Sequence, residues 1–170
     1  KLIDGITNVR TAALFSMPAD RSKIIMCTSA VPEEGKTTIV SLLGMSLAET
    51  GEKVLLVDAD MRKSALHRIF GLENKRGLSN CLVSSVRARE AIHAIDEIPG
   101  LYVMTAGGKT PSPATLLGSA SFERLLRELE PEYERIIFDA PPALHIADSL
   151  IIAGKMHGVV FVLHSGKIHQ

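Results

Sequence analysis

The sequence predicts an α/β fold with a mostly parallel sheet flanked by helices. Short apolar runs alternate along the chain with segments whose apolar residues recur at helical spacing, which is the pattern of βα units. These runs are apolar throughout, as expected of parallel strands that helices cover on both faces. The 170 residues, of which 46% are hydrophobic, suffice for one domain with a substantial core.

The elements of the first part of the chain follow from apolar spacing and from residues that end helices. A helical pattern over 2–17, broken at Pro18, makes residues 1–20 an N-terminal helical segment. Buried strands are predicted at Lys23–Ser29 and Lys53–Asp58. The helix between them, Thr38–Glu49, is apolar on several sides, and Gly51 suits the position just past its end.

The second part of the chain continues the alternation of strands and helices. Four apolar residues over 122–129 share one face of a helix that Pro131 ends. In chain order, the predicted elements are short helices over 64–95, including Ala65–Phe70 and Leu78–Val83, a strand at Leu101–Ala106, the helix over 122–129, a strand at Arg135–Asp139, a helix at Ala147–Ala153 and a strand at Gly158–Leu163.

The loop after the first predicted strand has the pattern of a phosphate-binding loop (P-loop). Gly35-Lys36-Thr37 follows a strand and opens a helix, which is the context that this pattern requires. Backbone N–H groups and the helix N-terminus would face the phosphates, Lys36 would reach their β and γ oxygens, and the Thr37 hydroxyl would take one position on Mg²⁺. The predicted nucleotide contacts are Ala30, Val31, Pro32, Glu33, Glu34, Gly35, Lys36, Thr37 and Thr38.

This loop departs from the general P-loop pattern at two places. Ala30 replaces the first glycine, and Glu33 and Glu34 place two acids inside the loop. An acid beside a phosphate is unfavourable, so we expect both glutamates to point outward.

Two strands end in aspartates. Asp58 and Asp60 follow the strand that begins at Lys53, and Asp139 ends the strand that begins at Arg135. In an open α/β sheet, ligands bind at the carboxyl ends of the strands, where the P-loop also lies. Three acids near a triphosphate require a metal between them, and Mg²⁺ prefers oxygen ligands. The predicted metal ligands are therefore Thr37, Asp58 and Asp139.

These motifs together resemble the bacterial tyrosine kinases (BY-kinases) of capsule and exopolysaccharide synthesis. That family carries a P-loop, a strand ending in D-x-D-x-R and a strand ending in D-x-x-P, which match Ala30–Thr37, Asp58–Arg62 and Asp139–Pro142. The D-x-D-x-R element discriminates best, because many P-loop ATPases share the other two. The resemblance covers nearly the whole chain, including the stretches Leu66–Leu72, Gly77–Ser79 and Ser112–Ser119.

The resemblance implies one kinase domain of the P-loop NTPase type over residues 1–170. It would be an ATP- and Mg²⁺-dependent protein-tyrosine autokinase that regulates exopolysaccharide or capsule synthesis and export. Its subunits would form a ring and phosphorylate tyrosines near one another's C-termini. A transmembrane polysaccharide co-polymerase or activator, fused or separate, would activate the kinase in the cytoplasm at the inner face of the membrane.

The resemblance also assigns roles to single residues. Lys36 would bind phosphate and Asp139 would hold the metal. Asp58 or Asp60 would take the proton from the incoming tyrosine hydroxyl, with Asp58 preferred. Arg62 would stabilise charge on the transferred group. The predicted catalytic residues are thus Lys36, Asp58, Asp60 and Arg62.

The sequence differs from the family pattern in three respects. The family has glycine where Glu33 stands. Its ring-forming motif E-x-x-R-x-x-R is matched only by Asp4 and Arg10, so we expect ring assembly to be weak or different. The C-terminal tyrosine cluster is missing, and Tyr102 and Tyr133 read as structural residues. We therefore expect that the chain is cut from a longer protein and lacks the C-terminal edge of the sheet and the tyrosine-rich tail.

Other classes of protein fit the sequence less well. Lys+Arg and Asp+Glu both number 19, so no basic excess indicates nucleic-acid binding. Cys27 and Cys81 form no CxxC, which argues against a disulfide framework, a zinc site or an iron–sulfur carrier. No apolar run approaches the ~20 residues of a membrane span.

Two alternatives remain open. The first is a switch ATPase of the partition or division-site type without kinase activity. Such proteins carry a signature lysine where this chain has Val31. The second is a regulatory domain that binds nucleotide only to assemble.

Two further features are predicted to have no role in the site. His67 reads as a packing residue, and Gly107-Gly108-Lys109-Thr110 reads as a surface loop because Pro111 follows it.

Overall fold

Six strands form one sheet in the computed structural model, which describes residues 23–144 and 147–163. They are β1 (Ile24–Ser29), β2 (Val54–Asp58), β3 (Ile92–Ala94), β4 (Leu101–Met104), β5 (Arg135–Asp139) and β6 (Gly158–Val162). Their order is β3-β4-β2-β5-β1-β6, and every neighbouring pair is parallel except β3 with β4. The predicted mostly parallel sheet is confirmed, and all five predicted strands are present.

The prediction of helices throughout 64–95 is wrong at β3. This strand has three residues and pairs antiparallel with β4, Ile92 opposite Met104 and Ala94 opposite Tyr102. Three residues are too few to show a periodic pattern, and the pairing with β4 decides their conformation.

Seven helices lie in the described ranges. They are α1 (Lys36–Ala48), α2 (Leu66–Ile69), α3 (Leu78–Leu82), α4 (Ala88–Ala91), α5 (Pro113–Leu117), α6 (Ala120–Leu129) and α7 (Ala147–Ala153). The predicted helices are confirmed with small differences at their ends. The five-residue α5, which begins at a proline, was not predicted. The predicted N-terminal helical segment, residues 1–20, lies outside the described residues.

Both faces of the sheet are covered, which explains the continuous apolar runs. On one face α1 packs Val40, Leu43 and Leu47 against the sheet, and on the other face α6 packs Phe122 against Phe138 of β5. The two rings meet edge to face with centroids 5.8 Å apart. The two apolar layers hold the strands together and fix the carboxyl edge where the P-loop lies.

Glycine brings α1 close to the sheet. A Cβ atom at Gly44 would lie 2.6 Å from Cδ2 of Leu56, so any larger residue would push against β2. This close approach packs α1, the helix that begins with Lys36 and Thr37, directly against β2.

The two tyrosines pack together, which agrees with the structural role that the sequence predicts for each. Tyr102 and Tyr133 meet edge to face at 5.4 Å, and the Lys53 ammonium lies 5.5 Å and 4.9 Å from their ring centroids. Burial raises the pKa of Tyr133 to about 12. Cys27 is a core thiol whose pKa burial raises to about 12, so it is inert.

β6 lies at the edge of the described sheet. Val159 and Phe161 on this strand are each 48% exposed. The expectation that further edge elements belong beyond it stays a prediction. Among residues 23–144 and 147–163, no helix combines the length and the apolar character needed to cross a membrane.

Candidate nucleotide-binding site

The loop between β1 and α1 has the backbone of a tight turn. Gly35 precedes α1 with φ of 83°, a left-handed conformation that glycine adopts without strain. Glu33 has φ of 66°, which is unfavourable for a residue with a side chain. The glycine that the resemblance implies at this position would adopt this backbone without strain, whereas Glu33 adopts it with a side chain.

Glu33 is exposed but lines the cavity described below, so the expectation that both loop glutamates point outward is not confirmed. Glu34 turns back into its own loop, where its Oε2 accepts a hydrogen bond from the Val31 N–H at 3.0 Å. The Ser29 hydroxyl donates to the Val31 carbonyl at 2.9 Å. These two bonds fix the first half of the loop from within.

Lys36 joins the loop to the end of β5. Its side chain is buried, and its ammonium forms an ion pair with Oδ1 of Asp139. The sequence therefore identified two residues, 103 positions apart, that the structure brings into contact. This pair holds the P-loop lysine at the floor of the site.

Asp139 has one oxygen to spare. Its Oδ2 is buried and has no hydrogen-bond partner among the described residues. Burial raises the pKa of Asp139, while the Lys36 ammonium and the Thr37 hydroxyl partly offset that effect. A buried oxygen without a partner is costly, and such atoms in native proteins are typical of sites that bind a further group.

Asp58 and Asp60 differ in what surrounds them. Asp58 is 0% exposed, its Oδ2 accepts the N–H groups of Ala65 and Leu66 at 2.9 and 3.0 Å, and its Oδ1 accepts the Asp60 N–H at 3.2 Å. Burial, followed by the nearby charge of Asp139, raises its pKa to about 7. Asp58 thus organises the segment that leads into α2.

Asp60 lies at the surface of the site. It is 6% exposed, and its Oδ1 accepts the Lys63 N–H at 2.9 Å. It lines a cavity of about 490 Å³ between the P-loop and the segment after β2. Of the two carboxylates that the sequence predicts here, Asp60 is the one that a bound molecule could touch.

The cavity brings together most of the predicted residues. Its lining includes Pro32, Glu33, Gly35, Lys36, Thr37 and Thr38 from the loop, and Asp60 and Arg62 from the D-x-D-x-R element. Asp58 and Asp139 lie beneath it. The volume is in the usual range for small-molecule sites.

Sequence reasoning missed two further cations in this lining, Lys63 and Arg68. Both side chains are exposed. The signal was available for Lys63, which follows Arg62 directly. The place of Arg68 in the lining could not be predicted, because it depends on how α2 packs beside the loop.

The donor set suits a magnesium ion that is held mainly by phosphate and water. No cluster of three or more His, Cys, Asp or Glu side chains that could hold a metal occurs within 23–144 and 147–163. Mg²⁺ commonly keeps several waters and uses one or two protein oxygens beside the substrate phosphates. The free Oδ2 of Asp139 and the Thr37 hydroxyl fit that role. Asp58, also predicted as a ligand, already accepts three backbone hydrogen bonds.

Comparison with known proteins identifies the family of the chain. The family model described as an AAA domain matches residues 22–156. The chain is 40% identical over 162 residues to the tyrosine-protein kinase YwqD of Bacillus subtilis, covering 95% of this chain and 68% of that protein. It is 30% identical over 164 residues to the tyrosine-protein kinase etk of Escherichia coli, of which it spans 22%.

Solved structures separate the kinases from other proteins of the same fold. The kinase domain of Escherichia coli ETK superposes with a TM-score of 0.93 at 29% identity, covering 98% of this chain and 65% of that one. The septum site-determining protein MinD of Pyrococcus horikoshii, solved with Mg-ADP, gives 0.69 at 23% identity, covering 82% and 57%, and shares the fold alone. The match of site, sequence and fold shows that this chain belongs to the bacterial family of tyrosine-protein kinases.

Proposed function

We propose that this chain is the catalytic domain of an ATP-dependent protein-tyrosine autokinase that regulates exopolysaccharide or capsule synthesis and export. One observation carries the proposal: the buried ion pair of Lys36 with Asp139 adjoins the D-x-D-x-R element around a single cavity. The P-loop and the aspartate-ended strand that form the ion pair are shared with many P-loop ATPases. The Asp60 carboxylate and the Arg62 guanidinium beside the lysine supply groups suited to phosphoryl transfer to a hydroxyl.

ATP would bind with its phosphates in the loop 30–38. The N–H groups at the start of α1 and the Lys36 ammonium would hold the β- and γ-phosphates. Mg²⁺ would neutralise charge on those phosphates, held by the Thr37 hydroxyl and by Oδ2 of Asp139, directly or through water. Lys36 can donate to a phosphate while it keeps Asp139, because an ammonium has three N–H bonds.

Asp60 is the carboxylate that we propose as proton acceptor, which reverses the sequence-based preference for Asp58. The cavity lining supports this choice, because it includes Asp60 but not Asp58, which is 0% exposed. The tyrosine hydroxyl would give its proton to Asp60 as its oxygen bonds the γ-phosphorus and ADP leaves. Asp58 would hold the segment that carries Asp60 and Arg62.

The acceptor tyrosines would lie outside the described residues. Tyr102 and Tyr133 pack against each other and against Lys53, near the amino ends of β4 and β5 and away from the cavity. The proposal therefore includes acceptors in a C-terminal tail and transfer between subunits of a ring. These two features are supported by the family resemblance.

A transmembrane co-polymerase or activator, fused or separate, is the proposed membrane partner, with the kinase at the cytoplasmic face. This also is supported by the resemblance. The chain spans about two thirds of YwqD but 22% of etk, so relatives differ greatly in what accompanies this domain.

The switch-ATPase alternative has less support. The position of its signature lysine is Val31, whose N–H is already bonded to Glu34. The likeness to MinD is a likeness of fold.

The test is to incubate the full-length protein with Mg²⁺ and γ-labelled ATP and to measure phosphotyrosine and released phosphate together. Lys36→Met should remove phosphotyrosine, whereas Lys53→Met, a lysine at the opposite end of the sheet, should retain it. ATP hydrolysis without any phosphotyrosine in the wild-type protein would overturn the kinase proposal in favour of the switch ATPase.

A further inference from the structure

The cation of the D-x-D-x-R element is held by a residue that no motif contains. Arg62 Nε donates to Oδ2 of Asp148 at 3.0 Å, and Arg62 Nη2 reaches Oδ1 of the same carboxylate at 3.5 Å. The two residues are 86 positions apart. Arg62 follows β2, whereas Asp148 lies in the first turn of α7, beyond β5.

The two partners differ in exposure. The Asp148 side chain is 3% exposed, while that of Arg62 is 49% exposed. Burying a carboxylate without a partner is costly, so the ion pair with Arg62 compensates for the burial of Asp148. Arg62 in turn lines the cavity, and Asp148 is absent from the described lining. Asp148 thus holds the guanidinium from behind while the other side of the group faces the cavity.

The geometry leaves donors available. A guanidinium carries five N–H bonds in a fixed plane, and Asp148 takes two of them. Up to three remain for phosphoryl oxygens. Because the group is planar, fixing one edge against a carboxylate also fixes the direction in which the other N–H bonds point.

We propose that Asp148 is a positioning residue, which orients the Arg62 guanidinium toward the phosphoryl group during transfer. The inference rests on the proposed kinase function, and it adds a member to the site from a different part of the chain. It also makes α7 part of the catalytic apparatus, since a shift of α7 would turn Arg62.

The experiment is a double-mutant cycle in the full-length kinase, with an added tyrosine peptide as acceptor. Asp148→Ala should lower kcat by about 10²-fold, the scale expected when a catalytic group is misplaced by about an ångström, with the KM for ATP nearly unchanged. Asp148→Asn should fall between Asp148→Ala and wild type. In an Arg62→Ala background, Asp148→Ala should cost less than about twofold more, because its target is gone.

A second readout does not depend on turnover. Binding of Mg²⁺ and ADP is measured with and without aluminium fluoride, which mimics the transferred group. This measurement should distinguish a positioning role of Asp148 from a purely structural one. Asp148→Ala should leave ADP affinity unchanged and weaken the gain from aluminium fluoride. Glu52→Ala is the matched control, since it removes the carboxylate of the Arg135 ion pair (2.7 Å), far from the cavity.

The outcomes are distinct. An equal loss on Asp148→Ala in the presence and absence of Arg62, with a lowered melting temperature, would mean that Asp148 only stabilises the fold, and the inference would be overturned. A wild-type protein that forms no phosphotyrosine would defeat the kinase proposal. In that case the aluminium fluoride measurement would still decide whether Asp148 acts through Arg62.

Discussion

The amino ends and the carboxyl ends of β2 and β5 differ in how their charged side chains are paired. At the amino ends, Arg135 pairs with Glu52 at 2.7 Å, and the Glu134 carboxylate accepts the Lys53 N–H at 2.6 Å. Each of these charged side chains has a complementary partner. At the carboxyl ends, Asp58 and Asp139 stand opposite each other in the strand register, both fully buried, and the Lys36 ammonium forms an ion pair with Asp139 but not with Asp58.

This difference separates residues that stabilise the fold from residues that the ligand needs. Burial raises the pKa of both carboxyls; the charge of Asp139 adds to the rise at Asp58, and the charge of Asp60 adds to the rise at Asp139. The amino ends carry no such penalty. The carboxyl ends therefore hold an arrangement that would be completed by a cation, as expected of a site that binds phosphate with Mg²⁺. The following predictions test this contrast.

The largest expected effect is on the pH dependence of stability. The Asp58 carboxyl has an ordinary pKa of 3.8 when unfolded and about 7 when folded. Between these values the folded protein keeps a proton that the unfolded chain releases. Its contribution is therefore fully present below about pH 4 and is lost as pH rises through 7, for a total of about 4 kcal/mol.

Urea unfolding of wild type and Asp58→Asn at pH 4 to 8 measures this effect. The wild type should lose stability relative to the variant across that window. The substitution also weakens the hydrogen bonds to Ala65 and Leu66, but that loss should be a constant offset. Glu134→Gln is the control at the amino end. Parallel curves for wild type and Asp58→Asn would contradict the assigned burial effect.

The second effect is on rate. Asp60→Asn should lower phosphotyrosine formation by about 10²-fold, equivalent to about 2.7 kcal/mol, because the proposed proton acceptor is removed while the backbone contact to Lys63 can persist. Asp58→Asn should lose less than about tenfold. Glu52→Gln at the amino end should stay within about twofold.

This prediction is tested by the initial rate of phosphotyrosine formation in each variant. The affinity of each variant for a fluorescent nucleotide is measured in parallel. Loss of activity in Asp58→Asn, with near-normal activity in Asp60→Asn, would return the role of proton acceptor to Asp58. Weakened nucleotide binding in Asp60→Asn would assign Asp60 to the metal or the phosphates instead.

Sequence reasoning worked best where a short motif carries its own structural context. The P-loop, the D-x-D-x-R element and Asp139 could be placed at one edge because each follows an apolar strand. The pairing of Lys36 with Asp139 follows from that placement. The three-residue β3 and the single-turn α5 could not be predicted, because tertiary contacts decide such short elements.

Side-chain partners across the fold were beyond the sequence. Asp148 contacts Arg62 because α7 returns beside the segment after β2, and no local pattern marks that approach. The direction of Glu34 depends on one N–H in its own loop. The choice between Asp58 and Asp60 likewise depends on which side chain reaches the cavity. The sequence does not reveal this for two acids that are two positions apart in one motif.

The smallest expected effect concerns backbone strain in the loop. Glu33 adopts φ of 66° and should be strained by about 1 kcal/mol, the usual cost of a left-handed conformation for a residue with a side chain. Glu33→Ala and Glu33→Gly both remove the carboxylate and its contacts. The glycine variant should therefore be more stable than the alanine variant by about 1 kcal/mol, net of the entropy that glycine adds to the unfolded chain.

Gly51 provides the matched position away from the site. It follows α1 with φ of 92°, and an added Cβ would meet no atom within 4 Å, so Gly51→Ala should cost about 1 kcal/mol of stability through strain alone and leave kinase activity unchanged. Thermal unfolding in the absence of nucleotide compares Glu33→Gly with Glu33→Ala, and Gly51→Ala with wild type. If Glu33→Gly and Glu33→Ala proved equally stable while Gly51→Ala lost stability, the loop would adopt a different backbone in solution, because strain at φ of 66° must distinguish glycine from alanine.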